Sequence, residues 1–403
     1  MKKSMIVAAM LAMVATGANA KSATDSATIA KNKPVFTVVK QNPITSIKDQ
    51  NRSGTCWAYS TLSYFESEIL KHTGKTYDLS EMFVANKTYM DRATVAVRMH
   101  GDVSFSEGGS AYDVLYALQH YGIVPESAMP APGSLTGDSL ANFGEFFAVM
   151  TPYVEAVAKS TSKKLSPAWK SGLQGIIDSY IGKTPAKFTY EGKQYTPQSF
   201  CQSLGLNLDD YVTITSYTHH PMWSKFAVEV QDNWRWPLSY NVPMEDICKI
   251  IDNAVNNGYT VAWGGDVTED GFTRKGLGIA YDVKKVRSMA GTDADHWFKL
   301  SKDEKKEKFD SLGVNAPEVV PTQAMRQEAF DNWETTDDHG MHIYGIAKDQ
   351  NGKEYYMVKN SWGEYGDYKG TWYMTKAFVA YKTMDFMVNK NAIPKDIRKK
   401  LGI

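Results

Sequence analysis

The sequence predicts an α+β fold, on three observations. Behind Gly54-Thr55, the apolar residues Ala58, Leu62, Phe65 and Ile69 recur at the spacing of one helical face, and a second amphipathic run, LSEMFVANKTYMDRATVAVRM, follows. The period then changes near the C-terminus. An apolar run after His339 reaches Asp349-Gln350-Asn351-Gly352, whose Asn-Gly is a hairpin signal, and returns as EYYMVK. Between these patterns, residues from about 130 to 330 read as a large, mainly helical insertion, because the residues fit for chemistry straddle it.

The chain has 403 residues, 43% of them hydrophobic, with ten Trp and 23 Tyr, enough for a substantial core. Lys plus Arg equals Asp plus Glu at 45 each, so there is no electrostatic footprint for nucleic acid. Residues 1–20 have two lysines, an apolar segment from Met5 to about Val14, and Ala18-Asn19-Ala20 before Lys21. That layout is a secretory signal peptide, too short in its apolar part to span a bilayer. The expectation is export to a periplasm or beyond, with no membrane partner after cleavage. Residues 21–34 read as a flexible leader into a first strand near Val35–Val39.

The first helix is expected to close at Gly74, a residue suited to a left-handed cap, and another to run through Ala111–Tyr121. Residues 147–182 read as helices broken by Pro167 and Gly172, and 244–257 as an amphipathic helix with Ile247, Ile250, Ile251, Ala254 and Val255 on one side. Tyr211–Ser216, Tyr259–Trp263 and Phe386–Val388 are strand-like, and 301–308 is a charged helical face. Only Cys56, Cys201 and Cys248 are present, few for an exported protein that relies on disulfides. Cys248 reads as a core residue, and a Cys201–Cys248 pairing is left open.

Cys56 sits at a helix N-terminus, where unpaired N–H groups and the macrodipole favour a thiolate, so its thiol is expected to ionise more readily than a free cysteine. The other reading is an inert buried cysteine, which would need no Gln50 six residues earlier. From there the Gln50 amide and the Cys56 N–H can both donate to an oxyanion. A thiol nucleophile needs a base near neutrality, and His339 at the mouth of the apolar strand, with Gly340 beside it, is the best placed of eight histidines. His342 competes, but residues three apart on a strand face opposite sides. That same geometry argues against an Asp337/His339/His342 metal cluster, and Asp266, Glu269 and Asp270 read as a solvated loop. The remaining histidines, His219 and His220 among them, have no such setting. The hairpin returns Asn360 beside His339, where its carboxamide can hold the imidazole tautomer. This acyl-transfer chemistry needs neither metal nor organic cofactor.

The pattern Gln50-x-x-Ser53-Gly54-x-Cys56-Trp57, the Asn360-Ser361-Trp362-Gly363 run, the Tyr121-Gly122-x-Val124-Pro125 segment and Val261–Val267 together resemble papain-like cysteine peptidases, in particular the bleomycin hydrolase and aminopeptidase C branch. The resemblance implies a papain-like two-lobed fold over residues 35–403, with a helical lobe carrying the nucleophile helix and an antiparallel β lobe carrying His339 and Asn360. It further implies that Gly108 and Gly109 bind the substrate main chain. Trp362, counted with them as a binding residue, shields the His–Asn bond from water. Peptide substrates are implied, cleaved from the N-terminus with the chain's own C-terminal tail blocking one side of the cleft, and six subunits assemble in many such relatives. Two alternatives are an endopeptidase with an open cleft and a non-catalytic peptide-binding homologue.

Overall fold

The computed structural model describes residues 32–132, 140–285, 301, 304 and 311–403. The expected signal peptide, most of the leader and most of the charged face at 301–308 lie outside these. Strand β1 (Thr37–Gln41) is followed by α1 (Cys56–Thr73), α2 (Glu81–Arg98), α3 (Ala111–His120), α4 (Gly144–Ala158) and α5 (Ala168–Tyr180). A short hairpin of β2 (Phe188–Tyr190) and β3 (Lys193–Tyr195) precedes α6 (Pro197–Ser203), β4 (Tyr211–Thr215), β5 (Lys225–Phe226) and β6 (Ser239–Asn241). Next come α7 (Met244–Asn256), β7 (Val261–Gly265), β8 (Phe272–Thr273), β9 (Leu277–Gly278) and α8 (Gln323–Asp331). The C-terminal part holds β10 (His339–Lys348), β11 (Glu354–Lys359), β12 (Thr371–Thr375), α9 (Lys376–Lys382), β13 (Thr383–Asn389) and α10 (Lys395–Leu401).

Local chemistry sets these boundaries. Gly74 ends α1 at φ 70°, where its N–H donates to the Leu70 carbonyl, as expected of a left-handed cap. Ser80 caps α2 by accepting from Phe83 N, and Ser110 with Asp113 forms a capping box on α3. Pro167 does stand between α4 and α5, as expected. Gly172 does not break α5: a Cβ there would lie 2.3 Å from Tyr153 Oη, so the residue lets α4 approach instead. The first strand starts two residues later than expected, where Thr37 pairs with Lys348.

Two separate cores make two lobes. One gathers residues between Trp57 and Tyr211 from α1 to α6, with Ala262 and Met387 from the sheet. The other lies in the β lobe and includes Ile247, Ile250 and Ile251 of α7, each fully buried and each worth roughly 2 kcal/mol of burial. The eleven-stranded sheet runs β5-β6-β4-β13-β7-β10-β11-β12-β9-β8, with β1 also paired to β10. The region read as an insertion is built into this sheet. It supplies β7, which lies between β13 and β10 and pairs Gly265 with His339.

The last described residues pack away from the cleft. Ile397 and Leu401 of α10 are buried in the β-lobe core with Ile403 packed against it, and among the described residues the cavity beside Cys56 is lined no further along the chain than Asp385.

Candidate active site

Cys56 is the first residue of α1, and His339 is the first residue of β10. Helix and strand meet at Gly340. A Cβ there would fall 2.7 Å from Ser60 Oγ and 3.3 Å from both the Cys56 carbonyl and Trp57 Cα, so only hydrogen fits between strand and nucleophile helix. Both Cys56 and His339 line one cavity of about 540 Å³, together with Gln50, Gly108, Gly109 and Trp362.

The β10–β11 hairpin turns at Gly352 (φ 82°) and brings Asn360 back, with His339 Nε2 2.8 Å from Asn360 Oδ1. The same oxygen accepts from the Ser361 backbone N–H at 2.8 Å. A backbone N–H can only donate, so the atom it faces is the carboxamide oxygen, and His339 Nε2 must carry the proton. Nδ1 is left as the basic nitrogen. The Trp362 ring lies 4.9 Å from the imidazole, tilted by 34°, and covers the His339–Asn360 bond. Gln50 is buried and its Oε1 accepts from the Ser361 hydroxyl at 2.6 Å, which turns the Gln50 NH₂ away from Ser361 as a free donor.

Two family models match the chain on either side of its middle. Residues 34–165 match the model described as papain family cysteine protease, and residues 309–402 match the one described as Peptidase C1-like family. The first contains Gln50 and Cys56, the second His339 and Asn360. The chain carries a papain-family peptidase domain.

This papain-like peptidase is 23% identical to aminopeptidase G of Lactobacillus delbrueckii subsp. lactis over 89% of the chain and 84% of the relative. It is 24% identical to aminopeptidase C of Lactobacillus helveticus over 90% and 85%. In fold it is similar to the crystal structure of PepW from Lactobacillus rhamnosis, with a TM-score of 0.67 and 18% identity over 94% of this chain and 86% of that one.

In the papain-like peptidase, burial opposes the acidity expected of the Cys56 thiol from its place at a helix N-terminus. Burial pushes Cys56 up to about 12; the N–H groups of Gly340 and Trp57 pull the other way, while Asp337 and Asp232 add to the rise. Burial likewise pushes His339 down to about 4, against the Asn360 hydrogen bond. The helix N-terminus is real, but desolvation outweighs it. Burial thus works against either charge alone, and passing one proton from Cys56 to His339 creates the two opposite charges side by side.

Gly108 and Gly109 stand in the cavity wall for steric reasons. A Cβ on Gly109 would lie 2.8 Å from the Trp57 ring, and one on Gly108 would overlap Asp232. Sequence reasoning missed the residue that holds this wall. Arg92, fully buried on α2, donates to the Ser104 carbonyl (2.9 Å), the Gly108 carbonyl (2.5 Å) and Asp232 Oδ1 (3.1 Å). Asp232 is 140 residues from Arg92 and no local pattern links them. In the sequence Ser361 stands only within Asn360-Ser361-Trp362-Gly363; its place beside Asn360 is the available signal.

His342 is a core residue, fully buried with Nδ1 2.9 Å from Ser63 Oγ. The carboxylates at 266–270 are not a uniformly solvated loop. Asp266 is buried and accepts from the backbone N–H groups of Thr268 (2.8 Å) and Thr336 (3.0 Å), while Glu269 pairs with Lys382. Asp338 accepts from Val267 N at 2.9 Å, so the strand entry carrying His339 is tied to the end of β7. All three cysteines are free, and the Cys201–Cys248 pairing does not form: Cys201 Sγ contacts the Leu118 carbonyl in one lobe, Cys248 Sγ the Lys376 carbonyl in the other. His219 and His220, given no setting from sequence, meet Glu229 in a tight cluster.

Proposed function

We propose that the chain is an exported cysteine aminopeptidase that removes N-terminal residues from peptides through an acyl-enzyme on Cys56. The relatives named aminopeptidases support the reaction class, and one feature of the cleft supports the choice of exopeptidase. Asp232, Asp337 and Asp385 line the same cavity as Cys56 and His339. Burial, then the neighbouring Asp232 and Asp385, hold Asp337 well above the usual carboxylate range, and burial raises Asp385 to about 6. A free α-ammonium entering such a cavity relieves this repulsion, whereas an acylated terminus brings no charge to do so. These carboxylates take the place the resemblance gave to the C-terminal tail.

The catalytic sequence uses only residues of this chain. The peptide carbonyl binds with its oxygen between the Cys56 N–H and the Gln50 NH₂. His339 Nδ1 takes the thiol proton and Sγ attacks the carbonyl carbon, moving the C=O π electrons onto oxygen. The tetrahedral adduct collapses with cleavage of C–N, and the imidazolium returns its proton to the departing amine. Water, deprotonated by His339, then attacks the thioester and releases the N-terminal residue with a free carboxyl group. The thiolate recovers its proton. Asn360 holds the ring throughout and Trp362 excludes water from that bond.

Export rests on the signal peptide, with a periplasmic or extracellular destination, and peptides as the partners. No helix among the described residues is long and apolar enough to cross a membrane. One observation favours a second reading, an endopeptidase: α10 is folded into the β lobe and none of its residues lines the cleft. The deciding experiment compares a fluorogenic amino acid amide with its N-acetylated form, before and after thiol alkylation. Alkylation-sensitive cleavage of the free amine alone supports the aminopeptidase. Equal cleavage of both supports the endopeptidase, and no cleavage of any peptide leaves only a non-catalytic homologue.

A further inference from the structure

His219, His220 and Glu229 lie outside the catalytic cleft and the mechanism uses none of them, yet they converge. His219 Nε2 is 3.0 Å from one Glu229 oxygen and His220 Nε2 is 3.1 Å from the other. One ligand atom from each residue falls within a common 4.8 Å. Around a tetrahedral zinc with bonds of about 2.0–2.1 Å, neighbouring ligand atoms stand about 3.3 Å apart. We propose that these three side chains bind one Zn²⁺ ion, with solvent completing the coordination, and that the ion pins the wall of the substrate cleft.

The surroundings are built for fixed imidazoles. The His219 ring stacks on Phe330 of α8 at 13° and 5.7 Å, and the His220 ring on Phe226 at 21° and 4.2 Å. The backbone carrying both is held by the fully buried Asn241, whose Nδ2 donates to the carbonyls of Tyr217 (2.8 Å), His220 (3.0 Å) and Pro221 (3.1 Å). Behind His219, the Gln327 amide is fixed at both ends. Its oxygen accepts from Thr218 N at 2.6 Å and its nitrogen donates to Asp331 at 2.9 Å.

That fixed amide serves both tautomers of His219. Nδ1 is 3.0 Å from the Gln327 nitrogen and 3.3 Å from its oxygen. Without metal, Nδ1 accepts from the Gln327 nitrogen and Nε2–H donates to Glu229. With zinc, the proton sits on Nδ1 and is donated to the Gln327 oxygen, leaving the Nε2 lone pair for the ion, the orienting contact that metal-bound histidines usually have.

Glu229 lies between Val228 and Val230, both of which line the catalytic cavity, and three residues before Asp232. An ion on Glu229 therefore ties this wall to the Tyr217–Pro221 turn and, through Gln327 and Phe330, to α8.

The test uses the full chain carrying Cys56→Ser, so that the cleft thiol does not compete for metal. Zinc is titrated against a chromophoric chelator near neutral pH, and cobalt is added separately to read coordination from its visible absorption. The expected result is one equivalent of zinc, weakened at least tenfold by His219→Asn with His220→Asn and, separately, by the surface change Glu229→Gln. Zinc should raise the unfolding temperature and slow hydrogen exchange across residues 226–233 in the parent chain, and do neither in the variants. No uptake by the parent, or several weak equivalents unchanged by variants that keep the parent's circular dichroism, would overturn the proposal.

Discussion

The Ser361 hydroxyl donates to Gln50 Oε1 across 2.6 Å, joining the β11 exit to the residue that offers the oxyanion donor. The residue after the tautomer-holding Asn360 thus also aims Gln50. Removing one oxyanion donor typically costs about 10²–10³ in kcat. Gln50→Ala should fall in that range. Ser361→Ala should lose less, about tenfold, because the amide remains and only its aim is lost. Steady-state kinetics of both and of the double variant check this: the double variant should be no slower than Gln50→Ala, and multiplied losses would show that Ser361 acts elsewhere.

Asn360→Ala removes the acceptor that keeps the proton on His339 Nε2. We expect kcat to fall about 10²-fold, within the usual range for disrupting general acid–base catalysis, with KM changed by less. Folding should survive, since the thermal midpoint depends on the two cores. Burst-phase measurement of acylation should show the loss in the first chemical step.

At Gly340 the close approach of β10 to α1 leaves no room for a methyl group. Gly340→Ala forces Ser60 and the start of α1 outward, at about 1–3 kcal/mol for overpacking a well-packed contact. Urea unfolding should show that decrement, and activity should fall further than stability because Cys56 and His339 are displaced from each other. Ser60→Gly in the same chain should restore part of both.

Asp337→Asn should raise KM for free-amine substrates by about tenfold or more and leave the N-acetylated analogue unaffected, if the cavity carboxylates hold the ammonium, one decade being about 1.4 kcal/mol. Equal changes for both substrates would place Asp337 in a structural role.

Acid should destabilise the fold through His342 as well as His339. Burial, then Lys359, lowers His342 well below its ordinary value, and burial brings His339 to about 4. The folded state keeps both neutral while the unfolded chain protonates them below about 6.5. Their contribution is therefore complete above about pH 6.5 and is lost as pH falls from there toward 4 and below. Chemical unfolding at stepped pH should show this slope, and His342→Gln should flatten it.

The parts of this site legible in the sequence were those encoded locally. Cys56 follows a turn and begins a periodic helix, Gly74 closes it, and the Asn351-Gly352 hairpin fixes the return of Asn360 to His339. Distance in sequence hid the remainder. Arg92 reaches Asp232 and the Gly108 carbonyl through lobe packing that no period reports; Glu229 is near His219 and His220 in sequence, but no periodic pattern marks their meeting. The desolvation acting against the Cys56 thiolate is absent from the sequence for another reason: a sequence marks a helix N-terminus but not what packs over it. The middle region reads as a mainly helical insertion because its helical pattern is strong; Tyr259–Trp263 is strand-like in the sequence, but nothing local places that strand between β13 and β10.

Nucleophile and base belong to different lobes, and they face each other along a seam one hydrogen atom wide at Gly340. Mild denaturant that loosens the seam should abolish turnover while both halves keep their native spectra. Catalytic loss would then run ahead of melting, and any ligand that spans the cleft would act as a clasp.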